Sequence, residues 1–494
     1  MPPTHKNSIF SHFGFRPCLG LAVLLASSTG WAANGAATAI SQSADGAEAT
    51  YTDTAQQIWQ WAEVGYQETR SSALLQQQLR EAGFSIETGV ADIPTAFVAS
   101  YGAGGPVIGI LAEFDALPGV SQQATPKRLA VEGGKAGHAC GHHLFGVASV
   151  AAAIATRDWL DASGTRGTIR LYGTPAEEGG SGKVYMVRAG LFEDADVVIN
   201  WHPADRNAAL PSTTLANRSA KFRFTGYASH AAAAPERGRS ALDGIEAMNH
   251  MVNLLREHVP TTTRIHYVIT NGGSTPNVVP DFAESFYYVR APSPQQLLPI
   301  WARVEKAARG AALGTGTEVE WEVIHGNYNI LPNVTLARVM NDSLQHYGGI
   351  TYNRAEQRFA DEVVESFAYT PEHALGSEQT IEPFSEDIYQ GKGSSDVGDV
   401  SWMAPTVGLS TATWVPGTSA HTWQAVAAGG TSIGHKGMLL AAKTMGLTAV
   451  TLFEDPALIK AAKEEWQERR GDDFDYQPLL GDRPPPLDYR VNRR

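Results

Sequence analysis

The feature that most constrains the fold is an uninterrupted apolar run, VIGILA, at residues 107–112. Runs of this length with no polar side chain are typical of strands that are buried on both faces of a sheet. Residues 168–174 and 196–200 also read as strands, and the apolar stretch 144–160 reads as a helix. Strands that alternate with helices in this way predict an α/β sheet.

The pattern changes near residue 216, where alternating polar and apolar residues favour strands with one exposed face. Segments up to about residue 328 follow the order β-α-β-β-α-β, which is typical of a small α+β unit. The α/β pattern then returns. We therefore predict one α/β domain formed by 51–214 and 329–454, with an inserted α+β domain at 215–328. Residues 455–494, which include Pro-Pro-Pro, read as an irregular surface extension of the chain.

The N-terminus has the pattern of a secretory signal peptide. Lys6 and Arg16 precede a short apolar run, LGLAVLLASS, and small residues follow at Gly30 and Ala32. This order predicts a signal peptide over 1–32 with cleavage near Ala32. The next residues, 33–50, are rich in Ala, Ser, Thr and Gly, which predicts a flexible lead-in. A buried N-terminal helix is the alternative. We expect an exported protein, most simply one of a bacterial periplasm.

Charge and cysteine content exclude some functions. The net charge of −13 argues against a nucleic-acid-binding protein, and no apolar run is long enough to span a membrane. The chain has 2 cysteines, and removal of Cys18 with the signal peptide would leave only Cys140. An exported chain with one cysteine cannot form an internal disulfide. Cys140 is therefore either an inert buried residue or a chemical one.

The segment GHACGHH places Cys140 and His142 on a glycine-bounded loop between a strand and a helix. Thiolate and imidazole are ligands that suit zinc and similar ions. Glu177 and Glu178 follow the strand at 168–174, and adjacent side chains there can point differently. One can therefore bind a metal ion while its neighbour acts on a reacting water.

Two single histidines are further candidates: His202, in NWHP, follows an apolar strand, and His421, in SAHTW, lies on a loop rich in Gly and Ser. Each alone is more often structural, but ligands gather at the carboxyl ends of strands in open α/β sheets. Three other binding or catalytic motifs are not matched by the sequence. GGSGKV lacks the spacing and the Ser or Thr of a phosphate loop, and no G-x-S-x-G or H-E-x-x-H occurs.

Taken together and in order, these segments resemble one family. The segments are GHACGHH, PAEEGGSGK, NWHP, ASHAAAAPERGRSALDG, GGSTPNVVPD and SAHTW. They resemble the metallopeptidase family of aminoacylases, folate-cleaving carboxypeptidases and plant auxin–amino acid conjugate hydrolases, from about residue 51 to the end. AEFDALPGVSQ and GSSDVGDVSW resemble a subgroup that acts on p-aminobenzoyl-glutamate.

The resemblance implies an α/β, di-metal, zinc-peptidase-like catalytic domain with an inserted α+β lid domain that dimerises. It implies two divalent ions per chain, zinc or manganese. The ligands it implies are Cys140, His142, Glu178, His202 and His421. It makes Glu177 the general base. It places His230 in the lid, reaching the active site of the partner subunit, and gives Asn277 and Arg290 the role of holding the substrate carboxylate.

The sequence departs from the family at two positions. Glu113 stands where many relatives have a metal-binding histidine, and the branch with a cysteine ligand lacks that histidine too. Asp115 is then a candidate to support the ligands. His143 stands where relatives usually have Asn or Asp, and the sequence does not decide whether it perturbs metal binding or only packs.

The resemblance implies an amidohydrolase that cleaves N-acyl or N-aroyl amino acids, such as p-aminobenzoyl-glutamate. One alternative is a partner-dependent or non-catalytic substrate-binding subunit of a heteromeric hydrolase, although an intact Glu177 argues against it. A dipeptidase of the same family is another. A thiol enzyme that uses Cys140 is a third, disfavoured because no resolving cysteine is present. We expect a homodimer formed through the lid or a heteromer with a related subunit, and no nucleic acid or membrane partner.

Overall fold

The computed structural model describes residues 26–491, with side chains from residue 35 onward. Residues 1–25 of the predicted signal peptide therefore lie outside the described part, and residues 26–32 belong to the first helix. The helices are α1 Ala26–Gly46, α2 Glu48–Trp61, α3 Thr69–Glu81, α4 His142–Ser163, α5 Glu177–Gly180, α6 Gly182–Arg188, α7 Ala241–Leu255, α8 Pro294–Thr315, α9 Val334–Tyr347, α10 Arg354–Glu365, α11 Val397–Met403, α12 Trp423–Gly429, α13 Ser432–Glu454 and α14 Pro456–Arg470.

The strands form one large sheet, one medium sheet and several two-stranded pairs. They are β1 Ser85–Thr88, β2 Phe97–Ala103, β3 Val107–Ala112, β4 Leu117–Pro118, β5 Ala136–Gly137, β6 Gly167–Gly173, β7 Val197–Ile199, β8 His202–Ala204, β9 Ser212–Thr213, β10 Ala216–Thr225, β11 Arg264–Asn271, β12 Phe282–Ala291, β13 Glu318–Asn327, β14 Tyr389–Gln390, β15 Thr406–Val407 and β16 Ser410–Ala412.

The large sheet has six strands in the order β1-β2-β6-β3-β7-β15. Strand β3 lies between two parallel neighbours, β6 and β7. Its residues 108–112 are buried, as the apolar run predicted, since helices α4 and α13 belong to the same hydrophobic core. The α/β fold class is confirmed.

Residues 216–327 form a second sheet of four strands in the order β11-β12-β10-β13. Helices α7 and α8 cover one face and share a separate core with it. Ser240 and Ser293 cap the two helices by accepting hydrogen bonds from Asp243 N–H and Gln296 N–H. The element order is the predicted β-α-β-β-α-β, and we name residues 215–328, which contain this sheet, the lid.

The flexible lead-in predicted over 33–50 is wrong. Helix α1 covers most of it, and Ala36, Ala37, Ile40 and Ala44 are buried against the core. Helix α1 lies close to α13. A Cβ added at Gly446 of α13 would be only 3.0 Å from Ile40 Cγ2 of α1. Small residues that suggest disorder by composition are also those that let two helices approach closely, and alanine has the highest helix propensity.

The irregular surface extension predicted from residue 455 is also wrong. Its first part is helix α14, whose Ile459 and Ala462 are buried. The segment that follows lacks helix and strand but is packed, since Leu479 and Leu480 are each 3% exposed. None of the helices between residues 26 and 491 combines the length and hydrophobicity that a membrane span needs.

Candidate metal centre and active site

Polar side chains converge where three neighbouring strands of the large sheet end. Glu113 and Asp115 follow β3, Glu177 and Glu178 follow β6, and His202 follows β7. Helix α4 begins at His142 beside them, directly after Cys140 and Gly141. The carboxyl edge of a parallel sheet is where α/β proteins bind ligands, so the strand order brings these groups to one place.

Two sets of potential metal ligands share one cysteine. Cys140, His142 and His202 form the first set, and Cys140, Glu178 and His421 form the second; within each set the ligand atoms lie within 4.8 Å of one another. Cys140 would therefore be available to an ion held by either set. The geometry thus brings together all five side chains that the resemblance named as ligands.

Hydrogen bonds fix the tautomers of the two buried imidazoles. His142 Nδ1 lies 2.9 Å from Asp115 Oδ1, and His202 Nδ1 lies 2.7 Å from the carbonyl oxygen of Pro203. Each Nδ1 therefore carries the proton and donates it, which leaves Nε2 as the ligand atom. His142 Nε2 is buried and lies 3.1 Å from Glu113 Oε2, and His202 Nε2 faces Cys140 Sγ at 3.4 Å. The donor set fits zinc or a similar divalent ion.

His421 comes from a loop far along the chain. Its backbone N–H donates to Ala139 O at 2.9 Å, which attaches its loop to the segment before Cys140. Its backbone has a φ of +64°, a left-handed conformation that costs energy in a non-glycine residue. His421 Nε2 lies 3.0 Å from Glu178 Oε1, and this hydrogen bond raises the pKa of His421.

A third set of possible ligands consists of Glu113, His142 and Glu177. Glu113 is already paired, because its Oε1 lies 2.6 Å from Nζ of Lys183, which is fully buried. Glu177 makes no hydrogen bond or ion pair with the part of the chain that the structure describes. Burial and the neighbouring carboxylates of Glu113 and Glu178 raise its pKa well above its usual value. A carboxylate in this state is suited to accept a proton near neutral pH.

The turn that carries Glu177 and Glu178 is strained. Ala176 and Ser181 on either side have φ values of +58° and +56°. The buried carboxylate of Glu68 holds this turn by accepting a hydrogen bond from Ala176 N–H at 2.9 Å. No sequence pattern indicated this contact, since Glu68 lies 108 residues away from its partner.

Lys183 is a second feature that the sequence did not reveal. Its Nζ contacts Glu113 Oε1 at 2.6 Å and Asp396 Oδ1 at 2.8 Å, and all three side chains are buried. The two carboxylates raise the pKa of Lys183, so it is charged despite its burial. The lysine of GGSGKV thus faces inward, which agrees with the rejection of a phosphate loop.

The remaining histidines of GHACGHH have structural positions. His143 Nε2 lies 3.0 Å from Gly429 O, and its ring centroid is 4.8 Å from that of His138. Burial lowers the pKa of His143 well below its usual value and that of His138 to about 3. Both rings are therefore neutral and pack beside the site.

The predicted substrate-binding residues lie on the lid. His230 and Asn277 are exposed and adjacent, since Ala231 N–H donates to Asn277 O at 3.0 Å. No hydrogen bond or ion pair joins either side chain to the metal-ligand cluster of this chain within residues 35–491. Arg290 lies on β12, directly opposite Arg264 of β11. Both arginines line a cavity of about 480 Å³ with His266, Tyr288 and Lys392.

Comparison with known proteins agrees with this geometry. Residues 109–384 match the model of peptidase family M20/M25/M40. The chain belongs to this family of hydrolases. The related proteins act on amide bonds. It is 43% identical to a p-aminobenzoyl-glutamate hydrolase subunit of Escherichia coli (strain K12) over 85% of this chain and 92% of that protein. The resemblance that the sequence motifs predicted is confirmed.

Two further similarities show how widely the fold is used. The chain is 33% identical to the Xaa-Arg dipeptidase of Mus musculus, over 83% of this chain and 87% of that protein. A crystal structure of the Bacillus subtilis YXEP protein, a dinuclear metal binding peptidase from the M20 family, is similar with a TM-score of 0.56 and 17% identity, covering 83% of this chain and 99% of that one. At this identity the likeness concerns the fold.

Proposed function

We propose that this protein hydrolyses the amide bond of N-aroyl or N-acyl amino acids whose amino-acid part is acidic, with p-aminobenzoyl-glutamate as the first candidate. The observation that carries the proposal is the pair of ligand sets that share Cys140 beside the unpaired Glu177. Cys140, His142, Glu178, His202 and His421 would hold two divalent ions, zinc or manganese. Such ions lower the pKa of water and polarise a carbonyl group.

Glu177 then supplies the proton chemistry. Its raised pKa lets it take a proton from the attacking water and return one to the leaving amine of the substrate. Asp115 keeps His142 oriented, and the pair formed by Glu113 and Lys183 supports the other side of the site. Glu177 is thus free for the reaction, whereas Glu113 is not.

The positive charge of the lid cavity supports a substrate whose amino-acid part is acidic. It does not favour a basic part such as the arginine in the name of the similar Xaa-Arg dipeptidase. Arg264 and Arg290 are cross-strand partners, and like charges in directly opposite positions destabilise a sheet. Lys392 lines the same cavity, and none of its described lining residues is acidic. Burial and the charges of Arg290, Arg256 and Arg264 lower the pKa of His266. An anionic group would relieve this repulsion.

We further propose a homodimer formed through the lid, in which His230 of each chain serves the other chain's site. Strand β11 is at the edge of the lid sheet. Exposed apolar side chains on it and on helix α7 are Val268, Ile269, Met251 and Leu254. A heteromer with a related subunit is the second candidate, because the similar Escherichia coli protein is named as one subunit of a hydrolase. The protein purified alone should be active if the homodimer is correct.

Export to a bacterial periplasm stays a proposal that rests on the signal-peptide pattern and the single remaining cysteine. N-terminal sequencing of the mature protein from a cell fraction would test it. A start near residue 33 in the periplasmic fraction supports export, and an intact Met1 in the cytoplasmic fraction contradicts it.

The deciding experiment compares the wild type with Glu177→Gln for metal content and for hydrolysis of p-aminobenzoyl-glutamate. We expect both proteins to bind about two ions per chain and only the wild type to cleave. Glu87→Gln, on an exposed position of edge strand β1, is the matched control and should be active. A metal-loaded wild type that cleaves neither this substrate nor other N-acyl amino acids favours the alternative of a substrate-binding subunit. A protein that binds no added metal contradicts the proposal.

A further inference from the structure

The segment after helix α14 runs from the lid to the turn that carries Glu177 and Glu178. Gln477 O accepts a hydrogen bond from Tyr328 Oη at 2.9 Å, and the Arg483 guanidinium donates to Glu322 Oε1 at 2.9 Å on β13. A Cβ at Gly326 of β13 would be 2.6 Å from Leu479 C. The chain therefore lies directly on the backbone of the edge strand of the lid. We name residues 476–491 the C-terminal strap.

The strap ends on the Glu177–Glu178 turn. Gln67 Nε2 donates to Leu487 O at 2.8 Å. Tyr489 Oη and Arg490 Nη2 then donate to the same backbone carbonyl oxygen, that of Glu178, at 3.1 and 2.5 Å. Two side-chain donors, one of them charged, thus satisfy a single main-chain oxygen.

The surroundings of Tyr489 are shaped to receive it. A Cβ at Gly65 would lie 2.3 Å from Tyr489 Oη, so any other residue at position 65 would displace the tyrosine. The Tyr66 ring meets the Tyr489 ring edge-on at 5.6 Å between centroids, and Tyr66 Oη donates to Gly180 O at 2.8 Å. Burial raises the pKa of Tyr489, so its hydroxyl is protonated and available as a donor.

These contacts complete the fixation of Glu178. Its N–H donates to Asp115 Oδ2 at 2.9 Å, its carbonyl accepts from the strap, and its side chain meets His421. Its φ and ψ of −71° and 60° are not helical. Among the described residues, no helical N–H therefore donates to this carbonyl, and its hydrogen bonds come from the strap. This carbonyl belongs to the peptide that joins Glu178 to Gly179, so the strap fixes the backbone after the Glu178 Cα while Asp115 fixes the backbone before it.

We infer that Tyr489 and Arg490 are positioning residues, which hold the Glu177–Glu178 turn in the geometry that metal binding and proton transfer require. The inference rests on the proposed function, because it assigns these roles to the two glutamates. It adds that the end of the chain, outside the residues that match the family model, is part of the working site.

The test uses the full-length protein and three variants: Tyr489→Phe, the double variant Tyr489→Phe/Arg490→Gln, and Arg490→Lys. Partners of metal ligands typically contribute about 10–100-fold to metal affinity or activity. We expect a loss of this size in kcat and in the affinity for the more weakly held Mn²⁺ or Zn²⁺ ion in the double variant. KM should not change, and Arg490→Lys should retain most of both properties.

Tyr101→Phe is the matched control, because it removes a tyrosine hydroxyl bonded to Asp161 on the surface. Metal affinity is measured by competition with a chelator and needs no substrate. It therefore decides the inference even if the wild type does not cleave the candidate substrate, which would count against the proposed function alone. A double variant with unchanged metal affinity and kcat overturns the inference. If the double variant does not fold, Tyr489→Phe and Arg490→Gln are measured separately, and unchanged metal affinity and kcat in both single variants overturns the inference.

Discussion

Replacement of Asp115 by asparagine tests how the metal ligands are oriented. Asp115 accepts hydrogen bonds from His142 Nδ1 and from Glu178 N–H, each at 2.9 Å, and so holds one ligand of each set. Burial works against its ionisation, but the contact with His142 holds its pKa below the usual range. Asp115 is therefore charged at neutral pH.

Asparagine has nearly the same shape but only one acceptor oxygen. In Asp115→Asn, its NH₂ group would face either the His142 ring or the Glu178 amide, and the negative charge would be lost. Supporting carboxylates of this kind contribute about 10–100-fold to metal affinity. This corresponds to about 1.4–2.8 kcal/mol. We expect weaker binding of both ions, because each ligand set loses its orientation.

The assay is a titration of metal-free protein with Zn²⁺ and Mn²⁺ in competition with a chelator, followed by the rate of hydrolysis at saturating metal. Asp161→Asn, which removes a surface carboxylate bonded to Tyr101, is the control and should bind as the wild type does. The reasoning is refuted if Asp115→Asn binds both ions with wild-type affinity while its fold is intact.

Three further variants test other parts of the structure. Lys183→Met removes the ammonium group that two buried carboxylates share and should lower the free energy of unfolding by about 3–5 kcal/mol, measured with urea; an unchanged midpoint contradicts the buried pairing. Arg264→Gln should raise KM for p-aminobenzoyl-glutamate about tenfold, since it removes one of the two guanidinium groups that line the cavity. An equal change in KM for p-aminobenzoyl-alanine, which keeps the α-carboxylate but lacks the side-chain carboxylate, would argue against a site for an acidic side chain. Burial lowers the pKa of His435 to about 4 from 6.5. Below pH 6.5 the unfolded chain thus binds more protons than the folded chain. The free energy of unfolding therefore decreases as the pH is lowered towards 4. His435→Gln should remove roughly 3 kcal/mol of that loss in metal-free protein, and an unchanged pH profile of unfolding refutes this.

The sequence predicted features that depend on neighbouring residues. The apolar run at β3 predicted a strand that is buried on both faces, because apolar side chains are more stable when they are removed from water. Likewise, Cys140 with His142, and Glu177 with Glu178, indicated chemistry from their position at the ends of elements. The order of elements in 216–327 was also readable, since the periods of helices and strands are local properties.

Composition misled where packing decided. Residues 33–50 and the region from 455 looked irregular because small and proline residues are frequent in loops. Helix α1 is stable because its alanines fit against α4 and α13, and the C-terminal strap is ordered because it lies on β13 and on the Glu177–Glu178 turn. Neither partner surface is visible in the sequence of the segment itself.

The sequence alone therefore determined the fold class, the residue types of the site and the strands that present them. Only the tertiary structure decided that Cys140 belongs to two ligand sets and that Lys183 forms an ion pair with Glu113 while Glu177 has no such partner. It also decided that Tyr489 and Arg490 donate hydrogen bonds to Glu178, which lies 311 and 312 residues earlier in the chain. The physical reason is one of range. Periodicity and burial are set by near neighbours, whereas a pairing across the fold depends on how separate elements pack.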